Sequence, residues 1–224
     1  MNQNQEQLLD QLCQQMKQVF CQESSGHDWW HLERVSRMAK KLALSEGADP
    51  FICQVAALVH DYVDDKLFAD VASQENQLKI ILDQHGLTST QIEQIMDIIQ
   101  SVSYKGGFQT RPLTSLEAKV VQDADRLDAL GAIGIARTMA YSGAKGRVIH
   151  DPTILVHQVE SLADYRSGQD TAILHFYQKL LHLKDLMNTP TAYRVAEQRH
   201  HFLEAFLNQF YREWEGQDLS DMDF

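Results

Sequence analysis

The sequence predicts an all-α protein, a bundle of helices. Three observations carry that expectation. Apolar residues recur at helical spacing along most of the 224 residues, the pattern of helices that bury one face. Capping residues, glycine and proline stand where those stretches start and stop. No segment alternates apolar and polar residues long enough to make a strand.

Taken in order, Leu8, Leu9, Leu12, Met16, Val19 and Phe20 mark a first amphipathic helix, broken at Ser24-Ser25-Gly26. A second is expected from Asp28 to Glu46, with Trp30, Val35, Met38, Ala39 and Leu42 inward and Gly47 as its stop. Asp49-Pro50 reads as an N-cap followed by proline at the first helical position. It opens a third helix, Phe51–Tyr62, apolar nearly all round and therefore central. Ser73 is expected to cap a helix ending at Gly86, and another runs from Thr90 to Ser101. Ser103–Pro112 reads as a loop. Thr114 and Glu117 form a capping-box pattern for the next helix. Gly131 and Gly134 introduce a shorter helix through Met139. Residues 142–170 look least regular and are expected to form a loop over the site. Two long helices, Thr171–Met187 and Thr191–Trp214, complete the chain, with Phe202, Phe206 and Phe210 as core at i, i+4, i+8 and a frayed acidic tail, 218–224.

With 44% hydrophobic residues the chain can build a sizeable core, and no linker-like composition divides it, so residues 1–224 read as one domain. Formal net charge is −11, a poor field for nucleic-acid polymers or membrane surfaces. A metal ion and a few local cations can still reverse the potential inside one pocket. The start lacks a basic-then-apolar signal pattern and no apolar run is long enough to span a membrane, so a soluble cytoplasmic protein is expected, monomer or homodimer. Cys13, Cys21 and Cys53 lack zinc-type spacing and read as buried free thiols.

The chemistry lies in an ordered set. His31 stands in HDWWHLERV, the neighbours His60 and Asp61 follow, and Asp125 lies in QDADRLDALG. Two imidazoles and two carboxylates can hold one divalent metal ion, and a held ion can make a nucleophile of water. Neighbours on a helix diverge by about 100°, so His60 and Asp61 must bend toward an ion at the helix edge. Imidazole and carboxylate together suit Mn²⁺, Fe²⁺, Co²⁺, Ni²⁺ or Zn²⁺ better than Ca²⁺. The set has no thiolate and leaves room for water, which favours a catalytic ion over a structural one. His27 shares a face with His31 but is expected at the mouth of the site, and His157, His182 and His201 are expected to be structural.

The segments HLERV, HDYVDDK (60–66) and DADRLDALGAIG (123–134) resemble the HD superfamily of metal-dependent phosphohydrolases, which implies an HD-domain helical bundle. The resemblance gives His31, His60, Asp61 and Asp125 the role of metal ligands. It extends, through residues 175–189 and 196–210, to a bacterial branch of nucleotide pyrophosphohydrolases. Dinuclear members insert several histidines before the last aspartate; here only His85 stands there, which favours one ion. The implied cofactor is a single Mn²⁺, Ni²⁺, Co²⁺, Fe²⁺, Zn²⁺ or Mg²⁺, with Mn²⁺ favoured. Asp64 and Asp65 match an acidic pair with a catalytic role in related stringent-response hydrolases. A carboxylate there can take a proton from attacking water. Lys66, His175 and Lys179 are the expected phosphate contacts, with Arg126, Arg137 and Arg199 as further cations. Tyr104 and Phe108 could stack on a base. The implied reaction cuts a nucleoside triphosphate, or its deoxy form, to the monophosphate and pyrophosphate. Phosphomonoester hydrolysis would use the same apparatus, and a non-catalytic nucleotide-sensing module is the alternative outside enzymes.

Overall fold

The structure, a computed structural model, describes residues 2–21, 28–64, 70–102, 112–154 and 171–219. Every regular element among them is helical. The α-helices are α1 (Gln3–Phe20), α2 (Trp29–Glu46), α3 (Pro50–Val59), α4 (Val71–Gln84), α5 (Ser89–Val102), α6 (Leu116–Asp128), α7 (Gly131–Ala144), α8 (Ala172–Gln178) and α9 (Pro190–Trp214). Tight 3₁₀ turns follow α3 (His60–Val63), α8 (Leu180–Leu186) and α9 (Gln217–Leu219). Among the described residues no helix is long and apolar enough to cross a membrane.

The nearly all-apolar third helix is central, as its sequence predicts, but its α-helical part ends at Val59 and His60–Val63 turn as 3₁₀. Phe51 through Val59 are all buried, and α1, α2, α5 and α6 pack around α3. Asp49 caps it, accepting from the Phe51 and Ile52 N–H groups at 2.8 and 3.2 Å, with Pro50 in the first turn. Gly47 ends α2 at φ +80°, a conformation that costs glycine little. Because α2 and α6 both lie on α3 and on each other, residues from all three face one point.

Several local expectations are corrected. The inward tryptophan is Trp29, 8% exposed; Trp30 is 58% exposed, with the Lys17 ammonium 5.8 Å from its ring centre. The buried stripe Trp29, Leu32, Val35/Ser36, Ala39, Leu42/Ala43 follows i, i+3, i+4 one position away from Trp30. Asp70, not Ser73, caps α4: it accepts the Ser73 N–H at 3.0 Å. Ser115, not Thr114, caps α6; Thr114 instead donates to Asp97, and Glu117 accepts from the Asp49 N–H. Helix α7 continues past Met139 to Ala144. Phe202 is exposed, whereas Phe206 stacks on Phe176 at 5.5 Å. Of the thiols, Cys53 is buried, Cys13 half-buried and Cys21 exposed. Residues 155–170 of the expected loop, Ser103–Arg111 and the tail beyond Leu219 lie outside the described residues.

The expected helix 171–187 is instead a seven-residue helix and a 3₁₀ turn, parted at Lys179. No glycine or proline marks that break; long-range contacts hold the turn. The Arg126 guanidinium donates to the Leu186 carbonyl. Buried Asp123 accepts from the backbone and side chain of Asn188 (2.9 and 2.8 Å) and of Thr189 (2.9 and 2.8 Å). Thr189 then caps α9, with Pro190 first in the helix.

Glycine at position 134 is fixed by close approach. A Cβ there would lie 2.2 Å from the Ala129 carbonyl oxygen, whereas one at Gly143, on the same helix, would meet nothing within 4 Å. Gly134→Ala is therefore expected to lose about 1–3 kcal/mol through overpacking, and Gly143→Ala to gain up to about 1 kcal/mol from helix propensity. Urea unfolding of the two variants beside the parent measures both, and equal midpoints would contradict the assigned contact.

Candidate metal centre

His31 sits in the first turn of α2. The Asp28 cap fixes that turn, accepting the His31 N–H at 2.8 Å. His60 and Asp61 begin the 3₁₀ turn that closes α3, and Asp125 lies on α6. The chain folds these distant positions onto one spot. His31 Nε2 is 3.5 Å from Asp61 Oδ2 and 3.5 Å from Asp125 Oδ1. His60 Nε2 is 3.3 Å from Asp61 Oδ1 and 3.6 Å from Asp125 Oδ1. One ligand atom from each of His31, His60 and Asp125 lies within 4.8 Å of the others. The histidines and Asp61 are almost wholly buried, while the Asp125 side chain keeps 24% of its surface exposed.

Each ring is held from behind. His31 Nδ1 is 2.8 Å from Asp128 Oδ2, and His60 Nδ1 is 2.8 Å from the Ala57 carbonyl oxygen. An acceptor behind each ring places the hydrogen on Nδ1, which leaves the Nε2 lone pair for the cluster when the ring is neutral. His60 Nε2 is buried and makes no aligned hydrogen bond to either carboxylate it faces. A buried polar atom without a bond costs free energy, and a cation at the focus of two imidazole nitrogens and carboxylate oxygens would satisfy it. The donor set and its burial therefore fit a divalent ion.

The electrostatics agree. Burial works against charge on His60, but the Asp61 and Asp125 carboxylates and the Ala57 carbonyl push its pKa up to about 10. Burial likewise works to raise Asp125, yet the facing histidines hold it well below the usual carboxylate range. His31 is lowered, first by burial and then by the charge of Arg137, against the pull of Asp128. The carboxylates that face the two rings favour positive charge at this point.

Asp64 is buried at the end of the 3₁₀ turn, its N–H donating to the Asp61 carbonyl at 3.2 Å. Its expected partner Asp65 lies outside the described residues, as do Lys66, His27, Tyr104, Phe108 and His157. His175 is in α8 and Lys179 is its C-cap, where the backbone turns to φ −135°; α8 packs against α7 and the 180–186 turn. Three expected phosphate cations are engaged by the protein itself. Arg126 holds Leu186, Arg199 donates to the Leu127 carbonyl, and Arg137 lies 3.2 Å from Asp128. His85 bonds Gln15 of α1 at 2.8 Å. His182 and His201 are exposed.

Sequence reasoning missed Asp128, which is 1% exposed. Besides His31 it accepts a forked pair of bonds from Arg34, at 2.8 and 2.9 Å. The signal was present as spacing. His31 and Arg34 are three apart on α2, Asp125 and Asp128 three apart on α6, so each pair shares a helix face, and the two faces meet.

Comparison with known proteins finds relatives over most of the chain. The family model described as HD domain matches residues 29–130, the span that holds His31, His60, Asp61 and Asp125. The Bacillus subtilis protein YpgQ is 38% identical over 205 residues, 91% of this chain and 92% of its own. Its crystal structure in complex with ADP superposes with a TM-score of 0.74 at 36% identity, covering 92% of this chain and 97% of that one. A solved Lactobacillus plantarum protein reaches a TM-score of 0.83 at 40% identity, covering 94% and 98%. A Bacillus thuringiensis HD-superfamily hydrolase gives 0.74 at 39%, also covering 94% and 98%. With its helical fold, its clustered histidines and aspartates and relatives alike over nearly their whole length, the chain belongs to the HD superfamily of phosphohydrolases.

Proposed function

We propose that this hydrolase cuts a phosphoanhydride bond of a nucleotide, releasing pyrophosphate from a nucleoside triphosphate, with His31, His60, Asp61 and Asp125 holding one divalent ion. The convergence of His31, His60 and Asp125 within 4.8 Å carries the reading. A nucleotide substrate is supported by YpgQ, a relative crystallised with ADP. Mn²⁺ is the proposed ion, matched to a nitrogen and oxygen donor set. Such an ion supplies Lewis acidity toward water and a phosphoryl oxygen.

The chain's residues do the rest. The buried imidazoles and Asp61 close one side of the centre, and the partly exposed Asp125 marks the side open to substrate. Asp64, three residues past Asp61, or its neighbour Asp65 accepts the proton of the attacking water. Lys66, His175 and Lys179 are the proposed contacts to the phosphate chain, offsetting charge that develops on the leaving group. Arg34 and Arg137 add positive potential near His31 while tied to Asp128.

The test is a panel of nucleoside and deoxynucleoside triphosphates assayed with Mn²⁺, with pyrophosphate and orthophosphate resolved among the products. Pyrophosphate is expected in step with monophosphate; orthophosphate as the sole inorganic product would reject the proposed bond. Asp64→Asn and Asp65→Asn are to be compared, and the one that supplies the base is expected to lower kcat by about 10²–10⁴-fold with bound metal retained.

Metal affinity is also expected to depend on pH. The His60 pKa lies above its ordinary value, at about 10, so at neutral pH the ring must give up a proton to become a ligand. Binding should therefore tighten as pH rises, by about tenfold per unit below the His60 pKa while other ligands are ionised. Titration calorimetry in buffers of different ionisation enthalpy reads the released proton directly; no release near pH 7 would contradict this charge arrangement. His60→Ala together with Asp61→Ala is expected to abolish stoichiometric metal in the purified protein.

A further inference from the structure

We infer that Asp128 is a positioning residue for His31: its carboxylate, gripped by Arg34 and Arg137, receives the His31 Nδ1–H and thereby turns the Nε2 lone pair onto the point faced by Asp61 and Asp125. The inference rests on the proposed metal centre and names a part of it that touches no substrate. Asp128 lies on the Nδ1 side of the ring, so its contact with the cluster runs through His31.

The geometry is one of shared acceptors. Asp128 Oδ1 takes Arg34 Nε at 2.8 Å. Oδ2 takes Arg34 Nη2 at 2.9 Å, lies 2.8 Å from His31 Nδ1 and 3.2 Å from Arg137 Nη1. A buried carboxylate between two guanidinium groups is an acceptor only. The imidazole nitrogen facing it must carry a hydrogen, which fixes the tautomer and the ring plane together. Without that acceptor a neutral His31 is free to carry its hydrogen on Nε2. That hydrogen would point at Asp61 and Asp125, and the ring could no longer donate a lone pair there. His60 obtains the same service from the Ala57 carbonyl, which no side-chain substitution can remove. Of the two rings, His31 alone is held by a replaceable group.

The alternative is that Asp128 merely ties α2 to α6 through Arg34. Two readings separate the roles. The first is the His31 tautomer in metal-free protein, read from ring ¹⁵N shifts; the second is Mn²⁺ affinity. In the parent, His31 is expected as the Nδ1–H form. In Asp128→Ala the expectation is a mixture of tautomers and a loss of about 10–100-fold in Mn²⁺ affinity. Asp128→Asn, whose amide oxygen can still receive the Nδ1–H, should restore the parent tautomer and most of the affinity. Should Asp128→Ala fail to fold, the double variant Arg34→Met with Asp128→Leu removes both partners of the buried pair at similar volume, and the same readings apply.

A folded variant without the acceptor that keeps the Nδ1–H tautomer and parent-like affinity overturns the inference. The tautomer is read without metal. A parent that bound no Mn²⁺ would therefore reject the metal centre and still leave Asp128 to be judged by the His31 ring alone.

Discussion

The contact on which the rest depends is the packing of α2 against α6 over the buried third helix. It is an unusual seam, because polar groups meet where apolar ones usually do. His31 and Arg34 on one helix oppose Asp125 and Asp128 on the other. Burying such groups is expensive unless each finds a partner. The seam meets that demand on one side, where Asp128 is saturated by a guanidinium fork and an imidazole. On the other side it leaves carboxylates facing imidazole nitrogens with a cation as the natural filling. Ordinary helix packing along α3 holds both arrangements in place; buried leucines such as Leu32, Leu58 and Leu127 each contribute about 1.5–3 kcal/mol.

Helix α6 shows how one stretch of acid residues divides its labour. Asp123 points to the C-terminal part of the chain and takes four hydrogen bonds from Asn188 and Thr189. Asp125 faces the histidines, and Asp128 lies behind one of them. Composition alone makes the three look equivalent. Their different angular positions on the helix give each a different neighbour.

Much of this was legible. The helix class follows from periodicity, and the central helix from residues 51–59 being apolar on nearly every side. The four residues of the cluster stand out because they are polar or charged groups recurring in helical stretches in a recognised order. What stayed hidden has physical reasons. Adjacent tryptophans differ by one helical position, and only the partner helices decide whether Trp29 or Trp30 turns inward. Thr114 and Ser115 offer the same hydroxyl, so the capping residue depends on where Asp97 and Asp49 lie. The break at Lys179 carries no glycine or proline to announce it, and the segment that follows is held by Arg126 and Asp123 from across the molecule. Asp128 was obscured by standing in a motif whose better-known member is its neighbour Asp125.

The reach of Asp123 has a consequence for what counts as the minimal folding unit. The family match ends at residue 130, and a fragment trimmed to that boundary would contain every member of the histidine–aspartate cluster. It would also contain a carboxylate at position 123 stripped of all four donors, since those come from residues 188 and 189. Those bonds tie the chain after α8 to α6, and the fragment would lose that tie together with the buried packing of Ala192, Ala196, Leu203 and Leu207. The C-terminal helices are thus structural counterparts of the half that holds the cluster, and the shorter fragment would be a poor carrier of its chemistry.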